Sequence, residues 1–209
     1  MKSPLGLEFY AFFQKRLWHH CRLCKKFKPD IAIGVGDFYE HRSLSIEIKI
    51  KAVQSFSKHA KVFISSELDL PNELAPYKIP IPPEKMHDAL YYANIFYGDS
   101  STMASESGCL GTPAIYVDDV GRGYTDEEEE KYGLVFNYTA LVADQKKSIQ
   151  KGIELLKRPD LKNDWKAKRE RMLADKIDVT AFLVWFVENY PRSVKIMKED
   201  PDYQYKFKG

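Results

Sequence analysis

The chain's 209 residues suffice for one domain, or one and a fraction, and 44% hydrophobic against 30% charged residues is the balance of a soluble globular protein. A net charge of +2 excludes a general electrostatic pull toward nucleic acid. Three cysteines are too few, and odd in number, for a disulfide framework, and they point to a reducing, cytoplasmic setting.

Residues 7–28 place Phe9, Phe12, Phe13, Leu17, Cys21, Cys24 and Phe27 at helical spacing, and Pro29 stops the pattern. The opening MKSPLGLEFYAFFQKR is not read as a leader, because Glu8 interrupts its apolar run and no small-residue cleavage site follows. HHCRLC groups two imidazoles and two thiols, with Cys21 and Cys24 on one face and His20 able to join Cys24. One helix does not close a four-ligand zinc site, so core packing with exposed histidines is expected and no metal.

DIAIGVG reads as a short buried strand leaving through glycines. In LSIEIKIKAVQSFSKHA the alternation of Ile46, Ile48 and Ile50 suggests a strand, whereas its length and later polar content favour a helix, which is the reading adopted. KVFISS follows as a strand, and residues 69–83, with five prolines, as an extended linker. Pro83 then precedes a helical pattern through Met86, Leu90 and Ala93. NIFYG, MASESGCL and AIYV read as strand, helix and strand, and DDVGRGYTDEEEEKYG as a glycine-containing loop. Helices are expected over 142–157, 162–174 and 179–189, with a polar tail over 192–209. The apolar FLVWFVENY in the last of these is read as core, since it has about half the roughly 20 residues of a membrane span. The alternation predicts an α/β domain: a Rossmann-like parallel sheet with flanking helices and helical extensions at both ends.

The stretch YGDSSTMASESGCLGTPAIYV, residues 97–117, concentrates the chemistry. Ligands of parallel α/β sheets sit beyond the carboxyl ends of the strands, where residues 99–102 fall. A helix beginning near Met103 turns its unpaired N–H groups and positive dipole end toward them. Ser100, Ser101 and Thr102 add hydroxyls, a combination suited to a phosphate or diphosphate. Glu106, at i+4 from Thr102, faces the same side, where its carboxylate can accept from ribose hydroxyls. Ordinary capping by the same serines and threonine is the competing explanation. Gly111 and Pro113 read as a helix stop and a turn, and Cys109 as core. Asp99, His87 and Arg122 are further candidate ligand contacts, the last two also explained as surface residues.

DSSTMASESGCLGTP resembles the D-S-G-G-x-x-E-E-x-x-x-L-G-x-P segment of UDP-N-acetylglucosamine 2-epimerases, two-domain proteins of the GT-B fold. It is still more similar to a family of uncharacterised bacterial and archaeal proteins related to those epimerases and to GT-B glycosyltransferases. KVFISSE, PPEKMHDALYYA, EKYGLVFNY and KRERMLADKIDVTAFLVWFVENYP continue the likeness in order, from about residue 41 to 191. The resemblance implies that Ser100 holds a nucleotide diphosphate and Glu106 a ribose. Ser101 and Thr102 stand where the family has glycines, and Ser105 where it has its first glutamate. EHRSLS places His41 and Arg42 where the epimerases carry a phosphate-binding His-Arg-Arg-Glu segment, without its second arginine and glutamate.

On this likeness residues 1–40 are a remnant of an N-terminal domain, 41–191 a GT-B-like nucleotide-sugar-binding domain, and 192–209 the tail. Too little chain precedes residue 41 to supply the acceptor pocket, acid and base of such enzymes, so no catalytic residue is assigned. The function implied is binding of a UDP-sugar, without a required cofactor or metal, in glycosyl transfer or sugar-nucleotide conversion of surface-polysaccharide metabolism. The alternative is a non-catalytic scaffold or binding protein, dimerising through the face its lost domain would have covered.

Overall fold

A computed structural model describes residues 33–34, 44–66 and 69–208. The expected helix over residues 7–28, the HHCRLC group, His41 and Arg42 lie outside them. The chain divides into two compact units, whose described parts are residues 33–169 and 170–208.

In the first unit β1 (Ile33–Gly34) pairs in parallel with β2 (Ile64–Ser65), and α1 (Ile46–Phe56) lies between them in sequence. The second set of strands is also parallel: β3 (Phe96–Gly98), β4 (Ala114–Val117) and β5 (Val135–Tyr138), in that order. The register sets Phe96 opposite Ala114 and Ala114 opposite Val135. β1 lies alongside β3, so the strands run β2-β1-β3-β4-β5. The chain thus winds one way from β1 and the other way from β3, and the direction reverses between them. That reversal is where open α/β sheets receive ligands.

Every residue of β3 and β4 is buried, as strands covered on both faces require. On one face α1 turns in Lys49, Ala52, Val53 and Phe56, and α5 (Val142–Leu156) packs beside it. Gly152 makes this possible, since a Cβ there would stand 2.5 Å from the Phe56 ring. Phe56 in turn meets Tyr97 edge to face at 5.2 Å between ring centres. On the other face lie α2 (Met86–Tyr92), α3 (Ser101–Leu110) and the short α4 (Gly123–Glu127), with α3 close enough that a Cβ on Gly108 would touch Val135. Gly111 ends α3 at φ 81°, a left-handed position that suits glycine. The expectation of a Rossmann-like parallel sheet with flanking helices is met.

Two sequence expectations are corrected. DDVGRGYTDEEEEKYG is not a loop: α4 passes into a wide π-helical turn, Glu128–Tyr132, that ends at Gly133 with φ 63°. Residues 192–208 are not a tail. They form α8 (Arg192–Glu199) and a 3-10 helix (Pro201–Phe207) that folds back on α7 (Val179–Glu188). Tyr203 stacks on Trp185 at 4.7 Å, Phe207 meets Phe182 edge to face, and the Asp178 amide donates to the Phe207 carbonyl at 2.6 Å. α6 (Leu161–Asp175) runs through the boundary between the units. No helix among the described residues is long and apolar enough to cross a membrane.

Lys162, on α6, reaches the carbonyls at the end of α2, which the Thr112 hydroxyl also meets. Its Nζ lies 3.1 Å from Tyr91 O and from Thr112 Oγ1 and also contacts Ala93 O. Burial pulls its ammonium down to about 8 from 10.5. The unfolded chain therefore holds this proton over a range where the folded one has released it, and stability rises with pH between those values. The expected gain is on the order of 2 kcal/mol, allowing for solvent at the half-buried side chain. Urea titrations between these pH values should show the gain in the native sequence and not in Lys162→Met.

Candidate functional site

β3 ends at Gly98, and the chain turns at once into α3. Ser100 caps that helix: its backbone is extended, and its Oγ accepts from the Met103 amide at 3.4 Å. The Ala104 amide bonds the Ser100 carbonyl at 3.0 Å. Helix geometry leaves the amides of Ser101 and Thr102 without intrahelical partners, at the positive end of a ten-residue helix. Thr102 is exposed, and Ser100 and Ser101 are half-buried. The three candidate diphosphate residues thus share one helix tip beside the strand reversal, open to solvent at Thr102.

Their hydroxyls are not equivalent. Ser101 Oγ accepts from the Tyr124 hydroxyl at 2.8 Å. The Ser101 amide, without an intrahelical partner, is a second group this residue offers an anion. Tyr116 donates to Asp118 Oδ2 at 2.7 Å and to Val120 O at 3.2 Å. Burial, and then Asp118, hold its hydroxyl well above the usual phenol range, while Arg122 opposes that rise. Arg122 is exposed, just before α4, and its charge is felt at Tyr116.

Asp99 occupies a different environment from the one expected of a ligand contact. Its carboxylate is buried and forms an ion pair with buried Lys49 of α1, Nζ to Oδ2 3.2 Å. That oxygen meets no hydrogen-bond geometry, so charge rather than alignment carries the attraction. Glu106 and His87 do come together, Nε2 to Oε2 3.2 Å, both partly exposed. The Glu106 carboxylate, able to accept from the imidazole, lifts His87 above the ordinary imidazole value, against the opposing effect of partial burial. Ser105 turns inward and donates to Glu128 Oε1 at 2.7 Å, and Cys109 points at the same oxygen from 3.6 Å. Burial first, then the charge of Glu128, push the Cys109 thiol far up, which suits an inert core residue.

Tyr116, Tyr124 and Lys49 were missed by sequence reasoning. Tyr116 reads as one more apolar residue of AIYV, Tyr124 sits in what looks like a loop, and Lys49 stands among isoleucines. No group of three or more potential metal ligands occurs among the described residues. In the helical unit a shallow groove runs along Tyr190, Pro191, Val194, Lys195, Lys198 and Glu199. Lys195 there faces Glu199 at 3.9 Å, so the groove lacks the convergent unpaired polar groups of a binding site.

Parallel order, a reversal beside β3 and helices on both faces define a Rossmann-like α/β domain of the kind that forms one half of a GT-B fold. Solved structures agree. A Listeria monocytogenes protein provisionally named a UDP-N-acetylglucosamine 2-epimerase matches at TM-score 0.51 and 13% identity, over 75% of this chain and 46% of its own. A second UDP-N-acetylglucosamine 2-epimerase matches at TM-score 0.50 and 14% identity, over 84% of this chain and 48% of its own. The glycotransferase of kitacinnamycin matches more loosely, at TM-score 0.48 and 13% identity, over 69% and 39% of the two chains. This chain thus spans less than half the length of either epimerase. No protein-family model and no curated protein matches the sequence.

Proposed function

We propose that this chain binds a nucleoside diphosphate sugar at the tip of α3. The amides of Ser101 and Thr102, with the Thr102 and Ser100 hydroxyls, receive the diphosphate, and Glu106 receives the ribose. The supporting observation is the α3 tip at the strand reversal, with two open amides and a partly exposed carboxylate one turn further along. Arg122 is placed to close over the phosphates from the β4 side. In glycosyl transfer or sugar-nucleotide conversion, the helix tip and this arginine would stabilise charge on a departing nucleoside diphosphate. The UDP-sugar and surface-polysaccharide setting come from the motif resemblance. Arg42, the remaining diphosphate candidate, would add a bidentate phosphate contact.

Calorimetry with UDP, UDP-N-acetylglucosamine and UMP tests the site. Glu106→Ala should weaken UDP binding by about ten- to a hundredfold, the worth of a charge-assisted hydrogen bond. Thr102→Val should weaken it less, and UMP should bind more weakly than UDP. Absence of UDP binding at millimolar ligand would refute the proposal. A second reading, a non-catalytic dimeric scaffold, is favoured by the apolar residues that α7 leaves exposed: Leu183, Val184, Val187 and, just beyond its end, Tyr190. Equilibrium sedimentation distinguishes it, and a UDP-release assay separates enzyme from binder.

A further inference from the structure

We propose that His87 is a positioning residue for Glu106, and that its protonation sets the pH range over which this site takes up a nucleoside diphosphate sugar. The inference rests on the reading that Glu106 receives the ribose. A glutamate at a surface cleft has three side-chain torsions to order when a ligand arrives, a cost that prior positioning removes. The imidazole supplies that positioning from a neighbouring helix: Nε2 of His87, on α2, lies 3.2 Å from Oε2 of Glu106, on α3. With Oε2 held, Oε1 is the oxygen placed to accept from a ribose hydroxyl.

The groups facing His87 are Glu106 from α3 and Asp88 from its own helix. Asp88 is itself paired with Lys85 at 3.6 Å, so Glu106 dominates the local field. That carboxylate keeps the imidazole protonated to higher pH than an isolated histidine. A diphosphate at the α3 tip brings further negative charge to the same side and favours the imidazolium again. By linkage the protonated protein then binds more tightly. Affinity is greatest below the pKa of the free protein, falls as pH rises, and levels off above the pKa of the complex. Each unit by which the ligand raises the histidine corresponds to a tenfold change in affinity.

The probe is UDP-N-acetylglucosamine, whose diphosphate is doubly esterified and does not titrate near neutrality. Calorimetry on the full chain from about pH 5.5 to 9, the range that brackets histidine titration, should show affinity falling about tenfold with rising pH. His87→Gln keeps a donor near Glu106 without a titrating charge. It should bind with a flat profile, close to the high-pH limit of the native sequence. In the native protein, the ring resonance of His87 followed by NMR should titrate at higher pH with ligand than without, a measurement independent of how the variant folds. A flat native profile, or a His87 titration that ligand leaves unmoved, overturns the role of His87. If Glu106→Ala still weakens binding in that case, the ribose assignment stands alone. If the probe does not bind at any pH, both the site and this inference fall together.

Discussion

Lys49→Met should cost about 3–5 kcal/mol of folding stability, because it takes the ammonium away from the buried Asp99 carboxylate. The pair is nearly sealed, with side chains 4% and 1% exposed, so water cannot take the place of the ammonium. Asp99→Leu should be costly for the converse reason. The double variant Lys49→Met/Asp99→Leu should recover most of the loss, since apolar side chains of similar volume can replace a buried ion pair at little net cost. Urea unfolding of the four proteins forms a double-mutant cycle, and a coupling energy under about 0.5 kcal/mol would mean that the two residues act independently. The site should respond as well. Asp99 precedes the α3 cap, and its tie to α1 fixes the backbone from which the Ser101 and Thr102 amides project. Lys49→Met should therefore weaken UDP binding even where the protein remains folded.

The same residue explains why α1 was ambiguous in sequence. The alternating Ile46, Ile48 and Ile50 suggest a strand, yet Ile46 is 44% exposed and the buried set is Lys49, Ala52, Val53 and Phe56. That set has helical spacing, but its first member is a lysine, which a hydrophobicity pattern counts on the wrong side. The acidic run misled for a related reason. A string of glutamates usually marks a solvated face, whereas the wide turn after α4 carries Glu128 beneath Ser105 and Cys109. The segment taken for a polar tail is held by two aromatics at i, i+4, Tyr203 and Phe207. Eight charged residues over 192–208 surround those two anchors, which is why composition concealed them.

Legible features were those set within a few residues: β3, β4, the helix between them and the glycine that ends it, whereas the cap fell on Ser100 and not on Thr102. The shift of the helix start from Met103 to Ser101 placed the hydroxyl cluster at the tip rather than ahead of it. What could not be read was the allocation of hydrogen bonds across distant segments. Tyr124 reaches Ser101 from 23 positions away, and Lys49 reaches Asp99 from another strand–helix unit. Such pairings set the surroundings of the three adjacent hydroxyls, and no local spacing encodes them.

Trp165→Ala should lose about 3–5 kcal/mol, the usual cost of emptying a large aromatic site. Trp165 is fully buried, its ring lies against Phe136, and the Lys168 ammonium sits 3.7 Å above it. Its indole N–H donates to the Leu134 carbonyl at 2.8 Å, immediately before β5. Trp165→Phe keeps most of the packing and leaves that carbonyl without the indole donor, so a loss of about 1–3 kcal/mol is expected. The difference between the two variants separates packing from the hydrogen bond. Consequences should reach the site along β5. Asn137 on that strand holds Thr125 O at 3.0 Å and Glu129 at 2.7 Å, which fixes α4 and with it the Tyr124 hydroxyl on Ser101. Trp165→Phe should therefore bind UDP with reduced affinity while its far-ultraviolet circular dichroism stays native-like. Unchanged affinity in a measurably destabilised Trp165→Phe would show that the α3 tip keeps its form without support from β5.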